Sequence, residues 1–236
     1  TEATLREQLG HLEHAVLPGY YGAMPDGQVH TFSRGGSDIS GALVASALNA
    51  DVYENWTDVD GMLTADPRIV PTATTIPAIT YGELEELAYQ GATVLHEDAV
   101  RPVWDAQIPI HIRNTFHPEN VGTWIRSDNT VSDRPITGIA GRKGFSVIQI
   151  EKEKMNTLVG YVRKALSCLE HHHVAFEHMA TGLGSFSLVV PTASLEGCRA
   201  YLEAEIRQAI HPDSIQIIDG LAMIAVVGCG MTEISG

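Results

Sequence analysis

A glycine-rich segment before a predicted apolar helix carries residue types that could bind an anion. The segment runs from Arg34 to Asp38 with the sequence RGGSD, and the helix follows from Ile39. Its glycines let the backbone approach a ligand closely, and the free N–H groups at a helix start attract negative charge. Arg34 can form a guanidinium fork with a carboxylate or phosphate, and Asp38 can hold an ammonium group. The alternative is an ordinary loop in which Ser37 or Asp38 caps the helix.

A second segment concentrates carboxylates and hydroxyls. Residues 56–61 read WTDVDG and residues 64–68 read TADPR, which together supply three carboxylates, two hydroxyls and one arginine. The segment follows a predicted strand at 51–56, and an open α/β sheet binds its ligands where the strands end. The aspartate spacing is similar to that of a calcium loop, but Ile69 stands where that loop needs a bidentate glutamate. A solvated turn is the alternative interpretation.

The first 126 residues alternate between strand and helix patterns, which predicts an α/β fold with a largely parallel sheet. Thr80 and Glu83 have the spacing of a capping box at the start of one helix, and Gly91 marks its end. Asn49 can close the helix that begins at Ile39. The predicted helices are 1–15, 39–48, 80–91 and 96–106, and the predicted strands are 16–21, 29–32, 51–56 and 108–116.

A polar stretch at 117–135, rich in proline, glycine, serine and asparagine, contains the best domain boundary. Beyond it the predicted order is strand, helix, strand, strand, helix, strand, which is the split βαβ arrangement of ferredoxin-like folds. The helices are expected at 157–171 and 194–210, and the strands at 136–150, 174–179, 186–190 and 214–218, with a further β-rich stretch at 221–227. The sequence therefore predicts domains at 1–126 and 136–220, a linker at 127–135, and the start of another domain at 221–236.

The overall composition limits the classes of function. A formal net charge of −14 argues against a nucleic acid or an anionic membrane as partner, because both bind basic surfaces. No run of about 18 apolar residues is present, so no membrane span is expected. The three cysteines, Cys168, Cys198 and Cys229, share no metal-ligand spacing and indicate reduced thiols in a cytoplasmic protein.

Short segments in a fixed order carry a resemblance to a known family: Val16–Tyr20, Ser33–Asp38, Trp56–Gly61, Thr64–Arg68, Gly91–His96 and Ile112–Phe116. In order and spacing they resemble the signatures of aspartate kinases, and the resemblance covers roughly residues 16–230. It implies the C-terminal half of an amino-acid-kinase αβα sandwich for residues 1–126. A ferredoxin-like (βαββαβ) ACT domain and the start of a second ACT domain would follow.

The resemblance also implies a reaction, the transfer of the ATP γ-phosphoryl group to the β-carboxylate of L-aspartate. The product, 4-phospho-L-aspartate, enters lysine, threonine and methionine biosynthesis, and Mg²⁺ would be held mainly by the phosphates. Because two anions meet, the site must supply positive charge. Arg34 and Asp38 are the expected catalytic residues. The substrate would contact Arg34, Gly35, Gly36, Ser37 and Asp38, and the nucleotide would contact Thr57, Asp58, Asp66, Pro67, Arg68 and Thr93.

Departures from the family pattern affect mainly the nucleotide site. Thr93 stands where many family members have a lysine that reaches the ATP phosphates, Ser33 replaces a common glycine, and Glu97 replaces a common proline. The family's Lys-Phe-Gly-Gly-Thr segment, with a catalytic lysine and a phosphate loop, is absent from residues 1–236. The chain is therefore expected to be a piece of a longer enzyme and to make no aspartyl phosphate alone. A regulatory subunit that only binds lysine or threonine is the alternative.

For the second half, the resemblance implies amino-acid sensing. ACT domains of the family bind amino acids between paired domains, so lysine or threonine is the expected effector and a homodimer the expected assembly. A helix start near Thr157 would offer N–H groups to a carboxylate, and Glu177 would offer an acceptor to an ammonium group. A surface role for Glu177 and a core role for Met155 are the alternatives. The expected effector-binding residues are Met155, Thr157, Gly160, Tyr161, Glu177 and Thr181.

A run of histidines at 171–173 has the residue type of a metal site. Three consecutive side chains at a helix end point in different directions, because successive residues on a helix are not on one face. A solvated helix end, without a metal, is therefore the expectation for this run.

Overall fold

The computed structural model describes residues 2–32, 35–92, 95, 97–127 and 135–232. The chain divides into two compact units. The first unit comprises 1–141 and 224–236, and the second comprises 142–223. Within the described residues, no helix is both long and apolar enough to cross a membrane.

The first unit is an α/β assembly around a four-stranded sheet and a separate two-stranded ribbon. Its helices are α1 (Glu2–Leu9), α2 (Gly36–Leu48), α3 (Tyr81–Tyr89) and α4 (Glu97–Asp105). Its strands are β1 (Tyr21–Ala23), β2 (Val29–Thr31), β3 (Tyr53–Thr57), β4 (Ala78–Thr80), β5 (Ile110–Asn114) and β6 (Thr123–Arg126). The predicted strand at 16–21 is wrong, since β1 begins at Tyr21 and pairs only with β2.

The order of the main sheet is β3-β5-β6-β4. β3 and β5 are parallel, β4 and β6 are parallel, and the central pair β5 and β6 is antiparallel. The expected largely parallel sheet is therefore mixed. Neither β4 nor β6 is predicted from the sequence, because strands of three and four residues are too short to show an alternating pattern.

The core of the first unit forms around β5 and the helices that cover it. Ile110 and Ile112 are fully buried, as is Val103 on α4. The predicted capping box is confirmed at the start of α3: the Glu83 N–H donates to Thr80 Oγ1 over 3.2 Å, and the Thr80 N–H donates to Glu83 Oε2 over 2.9 Å. Asn49 closes α2 in the left-handed conformation, as expected.

The second unit has the ferredoxin-like order of elements. These are β7 (Gly138–Glu151), α5 (Tyr161–His171), β8 (His178–Thr181), β9 (Ser185–Pro191), α6 (Arg199–Ile210) and β10 (Ser214–Val227). The strand order β10-β7-β9-β8 confirms the predicted βαββαβ arrangement. The core lies between the sheet and both helices, where Ile148, Leu188, Ala165 and Leu202 are fully buried.

Four predicted element limits in this region need correction, one of which is the strand expected at 174–179, found at His178–Thr181. α5 begins at Tyr161 rather than Thr157, because Gly160 adopts the left-handed conformation and the preceding Met155–Thr157 form only a short 3₁₀ turn. α6 begins at Arg199 rather than Ser194. The two expected strands at 214–218 and 221–227 are one continuous strand, β10. That residues 221–236 begin a further domain stays a prediction, as do the other domain limits drawn from the sequence.

Candidate functional site

The carboxyl ends of β3 and β5 meet at one edge of the first sheet. Thr57 and Asn114 are directly paired there, because the two strands are parallel and in register. The Asn114 amide donates to Asp60 Oδ1 over 2.6 Å, and the Asn120 amide donates to the same oxygen over 2.9 Å. The Phe116 N–H donates to Asn114 Oδ1, which fixes the orientation of the Asn114 amide. The loop after β3 is thereby tied to the loop after β5.

Asp60 is the most constrained acid of this loop pair. The hydrogen bond from Asn120 makes the largest contribution, and the one from Asn114 the next, to holding the pKa of Asp60 below its usual range. The carboxylate is therefore ionised at neutral pH. The next residue, Gly61, has φ 110°, and a Cβ there would lie 2.4 Å from Thr123 Oγ1. Only glycine fits this position, which explains why a glycine ends the WTDVDG motif. Asp60 belongs to the WTDVDG motif, but the motif alone predicts no role for it.

A cleft of about 480 Å³ opens beside these residues. Its lining comprises Asp58, Val59, Asp60, Gly61, Leu63, Asn114, Phe116 and His117. Phe116 is 74% exposed and presents an aromatic ring at the cleft. Of the expected nucleotide-binding residues, Asp58 lines the cleft, and the Thr57 hydroxyl donates to Asp58 Oδ1 over 3.3 Å. Phe116 and Asn114 were part of a recognised motif, yet sequence reasoning gave them no function.

The glycine-rich segment leads into α2. Gly35 is the residue before the helix, in the left-handed conformation with φ 64°, and no side chain caps the helix. Ser37 and Asp38 therefore lie within the first turn, which corrects the expectation that one of them is the cap. A Cβ on Gly36 would lie 2.7 Å from the Phe32 Cβ, so the helix start packs closely on the preceding residues. Arg34 lies outside the described residues.

Asp38 is held from β3. The Asn55 amide donates to Asp38 Oδ1 over 3.1 Å, and the Tyr53 hydroxyl donates to the Asp38 carbonyl over 3.2 Å. Burial raises the pKa of Tyr53, with a smaller contribution from the Asp38 charge and an opposing one from the Asn55 hydrogen bond, so its hydroxyl stays protonated as a donor. Ser37 is exposed and Asp38 is half-buried.

The turn at 66–70 carries the other expected nucleotide contacts. Arg68 forms a two-pronged ion pair with Asp66, with 2.8 Å between Arg68 Nη2 and Asp66 Oδ2. The hydrogen bond from Arg68 holds the pKa of Asp66 below its usual range and raises the pKa of Arg68. Pro67 and Arg68 are exposed. These residues lie on a turn of their own rather than in the lining of the cleft, and Thr93 lies outside the described residues.

The expected effector residues divide into two groups in the structure. Met155 and Tyr161 are buried in the core of the second unit. The hydroxyl oxygen of Tyr161 is buried without a hydrogen-bond partner among the described residues, and burial raises its pKa. Thr157 is exposed, and its hydroxyl donates to the Lys154 carbonyl. The Asn156 N–H reaches the Leu183 carbonyl at 3.4 Å, which brings this segment to the turn that follows Thr181.

Glu177 lies apart from that group. It precedes β8, whereas Thr181 ends it, and four residues of strand span about 13 Å. Glu177 accepts a hydrogen bond of 3.0 Å from Arg142 on β7. That Glu177 and the segment before α5 contact one effector between paired domains stays a prediction.

The histidine run also differs from its prediction. His172 follows α5 outside helical geometry, and α6 places Glu205 against it. His171 Nδ1 lies 3.1 Å from both Glu205 carboxylate oxygens, and His172 Nε2 lies 2.8 Å from Glu205 Oε2. Two consecutive histidines thus converge on one carboxylate instead of pointing apart into solvent.

Comparison with known proteins identifies the family. The profile described as "Amino acid kinase family" matches residues 1–114. Aspartokinase 3 of Bacillus subtilis (strain 168) is 38% identical over 229 residues, which cover 96% of this chain and 50% of that protein. The crystal structure of Clostridium acetobutylicum aspartate kinase is 50% identical, with a TM-score of 0.88, and the match covers 98% of this chain and 53% of that one. The chain belongs to the aspartokinase family.

The chain spans about half the length of the aspartokinases that it matches. Aspartokinase III of E. coli is a more distant relative, 28% identical in both of its structures. Its R-state structure, in complex with aspartate and ADP, has a TM-score of 0.67 and covers 92% of this chain and 49% of that one. Its T-state structure, in complex with lysine and aspartate, has a TM-score of 0.65 and covers 89% of this chain and 47% of that one.

Proposed function

We propose that the protein containing this chain is an aspartate kinase, which transfers the γ-phosphoryl group of ATP to the β-carboxylate of L-aspartate. One observation carries the proposal, the hydrogen bond from Asn55 to Asp38. Asn55 lies two residues before Thr57 on β3, so this contact joins the glycine-rich segment to the strand that leads into the cleft. A substrate at one end and a nucleotide at the other would then be positioned by the same strand.

The start of α2 is the proposed aspartate site. Gly35 adopts the left-handed conformation that glycine allows, and the free N–H groups of the first turn favour an anion. Asp38 would accept the substrate ammonium group, and Arg34 would hold a substrate carboxylate. Ser37, exposed in the same turn, offers a hydroxyl. The complex of E. coli aspartokinase III with aspartate supports this substrate class.

The cleft at the ends of β3 and β5 is the proposed nucleotide site. Phe116 offers an aromatic face on which a base can stack, and the Asp58 side chain lines the same cleft. Arg68 is proposed to contact a phosphate, and Asp66 and Pro67 shape its turn. Thr57 and Thr93 are the remaining proposed nucleotide contacts. The complex of E. coli aspartokinase III with ADP supports a nucleotide as ligand.

The residues at the cleft fit a Mg²⁺ ion that the nucleotide brings. Asp58 is exposed at the cleft, and Asp60 is ionised, so carboxylate oxygens of the kind that Mg²⁺ accepts are present. Asp60 Oδ1 already accepts two amide hydrogen bonds, which favours Asp58 as the residue facing the ion. When bound, Mg²⁺ would neutralise part of the phosphate charge.

The proposed reaction needs no general base. A β-carboxyl group with a pKa of about 3.9 is ionised at neutral pH, so its oxygen can attack the γ-phosphorus without a general base. The bond from that phosphorus to ADP then breaks, and ADP leaves. The work of the protein is to orient two anions and to offset their repulsion, which is the role proposed for Arg34, Arg68 and the N–H groups of α2.

The second unit is proposed to bind lysine or threonine as a feedback effector. Its ferredoxin-like fold and the complex of E. coli aspartokinase III with lysine support this role. A homodimer through this region is part of the proposal, because the effector would lie between paired units. Sedimentation of the full-length gene product at tens of micromolar tests the assembly, and a monomer contradicts it.

The activity is tested with the full-length gene product that carries residues 1–236. ATP, Mg²⁺ and L-aspartate are supplied, and ADP release is followed in a coupled assay, with L-glutamate in place of aspartate as the control. Aspartate-dependent turnover, weakened in Asp38→Asn, is the expected result. Binding of lysine or threonine without any turnover would instead indicate a regulatory subunit.

A further inference from the structure

The ends of α5 and α6 bring together three side chains that commonly bind metals. They are His171 and His172 at the end of α5 and Glu205 on α6, and their ligand atoms all lie within 4.8 Å of one another. Thirty-three residues separate His172 from Glu205, so the packing of the two helices creates the cluster. It lies in the second unit and contains none of the residues assigned to aspartate, nucleotide or effector.

The geometry of the two imidazoles suits a shared ion. Different ring nitrogens face Glu205: Nδ1 of His171 and Nε2 of His172. Nδ1 lies nearer to the backbone than Nε2, so the two rings can contact one point from different distances along the chain. Four-coordinate zinc at about 2.0–2.1 Å from each ligand needs ligand atoms about 3.4 Å apart. The Glu205 oxygen Oε2 lies 3.1 Å from His171 Nδ1 and 2.8 Å from His172 Nε2, which is close to that value. Small side-chain rotations would therefore admit the ion.

The exposure of the three side chains is also compatible with entry of a cation. The His171 side chain is 74% exposed, whereas the His172 side chain is 18% exposed and anchored beside the helix pair. The Glu205 side chain is 34% exposed, so its carboxylate is also reachable from solvent. The cluster has one solvent-facing side and two ligands held by packed helices.

We propose that His171, His172 and Glu205 bind a divalent first-row transition metal ion, with Zn²⁺ preferred over Mg²⁺ and Ca²⁺. Two imidazoles and one carboxylate favour zinc, whereas magnesium and calcium favour oxygen ligands alone. Three protein ligands leave one position of a tetrahedral ion for water. The ion ties the C-terminal end of α5 to α6, and so stabilises the helix layer of the second unit.

The test uses tag-free, metal-stripped full-length gene product and ZnCl₂ as the probe. Isothermal titration compares the wild type with His172→Gln and Glu205→Gln, and His178→Gln is the matched control because His178 is an exposed histidine outside the cluster. The expected result is a saturable site in the wild type and the control, and affinity at least about tenfold weaker in both cluster variants. MgCl₂ should give no saturable binding at this cluster.

Thermal unfolding gives a second readout. Zn²⁺ should raise the melting temperature of the wild type and of His178→Gln, and should leave the cluster variants unchanged. His171→Gln, at the most exposed ligand, keeps the test decisive if His172→Gln fails to fold. Absence of saturable Zn²⁺ binding, or equal binding in the cluster variants and the wild type, overturns the proposal. Neither measurement needs aspartate or ATP, so failure here is distinct from failure of the kinase proposal.

Discussion

Asn55 donates a hydrogen bond of 3.1 Å to Asp38 across seventeen residues of sequence. Asn55 is buried on β3, and Asp38 lies in the first turn of α2, so the contact fixes the helix start against the sheet. Asn55 also contacts the Tyr53 hydroxyl at 3.3 Å, which itself donates to the Asp38 carbonyl. Asn55 is thus a positioning residue for an acid that the proposed mechanism places on the substrate.

Asp38→Asn should lower kcat/KM for aspartate by about 10–100-fold. The variant keeps a carbonyl oxygen that can accept from Asn55, but it loses the charge proposed to hold the substrate ammonium group. A hydrogen bond to a charged group contributes about 1.5–3 kcal/mol, and about 1.4 kcal/mol is tenfold in rate. Steady-state kinetics of the full-length gene product measures the effect. Asp51→Asn, at an exposed acid just before β3, is the control, and equal kinetics in both variants would remove Asp38 from the site.

Arg68→Ala should raise KM for ATP by roughly tenfold and change KM for aspartate little. The guanidinium is exposed and held in a defined orientation by Asp66, so its removal takes away a directed positive charge. Arg68→Lys should fall between the wild type and Arg68→Ala, because a lysine keeps the charge and loses the planar fork. Arg101→Ala, which breaks an exposed ion pair with Asp105 on α4, is the control. Unchanged KM for ATP in Arg68→Ala argues against a phosphate contact.

Glu83→Gln should destabilise the first unit by about 1–3 kcal/mol at neutral pH. Glu83 Oε1 accepts from the Thr137 hydroxyl over 2.6 Å and from the Cys229 N–H over 2.8 Å, while Oε2 accepts from Thr80. In Glu83→Gln an amide NH₂ group replaces one of these oxygens. The groups that donate to that oxygen in the wild type would then face another donor. The chain's tryptophans, Trp56, Trp104 and Trp124, all lie in the first unit, so urea unfolding followed by tryptophan fluorescence reports on it.

The destabilisation by Glu83→Gln should shrink in acid. Burial opposes ionisation of Glu83, but the hydrogen bonds from Thr137, Thr80 and Cys229 outweigh it and hold the pKa of Glu83 below its usual range. The stabilisation is therefore present above the unfolded value of about 4.3 and is lost as pH falls through the lower folded pKa. Glu85→Gln, at an exposed position on α3, is the control. A difference between wild type and Glu83→Gln that stays constant down to pH values below about 4 contradicts the assignment.

Glu177→Gln should raise the concentration of lysine or threonine needed for half inhibition by about tenfold or more. The proposed role is to accept the effector ammonium group, for which the carboxylate would exchange its ion pair with Arg142. Arg142→Gln separates the two functions of Glu177. If Glu177 only pairs with Arg142, both variants should lower thermal stability alike and leave inhibition unchanged. Glu196→Gln, at an exposed glutamate of the second unit, is the control for inhibition assays of the full-length gene product.

The order of helices and strands along the chain follows from short-range sequence patterns. The alternation of strand and helix patterns predicted the α/β first unit and the βαββαβ second unit, and the spacing of Thr80 and Glu83 predicted a capping box that the structure confirms. These features depend on contacts between residues a few positions apart, which leave a readable period or spacing. Strands as short as β4 and β6 leave no such period and are not predicted from the sequence.

The contacts between side chains far apart in sequence depend on how the elements pack. The carboxylate of Asp60 is joined to Asn114 across 54 residues, Glu83 to Cys229 across 146, and His172 to Glu205 across 33. None of these pairs has a characteristic spacing, because each depends on which distant elements the fold brings together. The pairing of parallel β3 with β5 puts Asn114 beside the loop of Asp60, and the packing of α5 on α6 puts Glu205 beside the histidines. This packing is driven by burial of the shared apolar core. The apolar residues of the core do not reveal in the sequence which polar side chains the packing brings together.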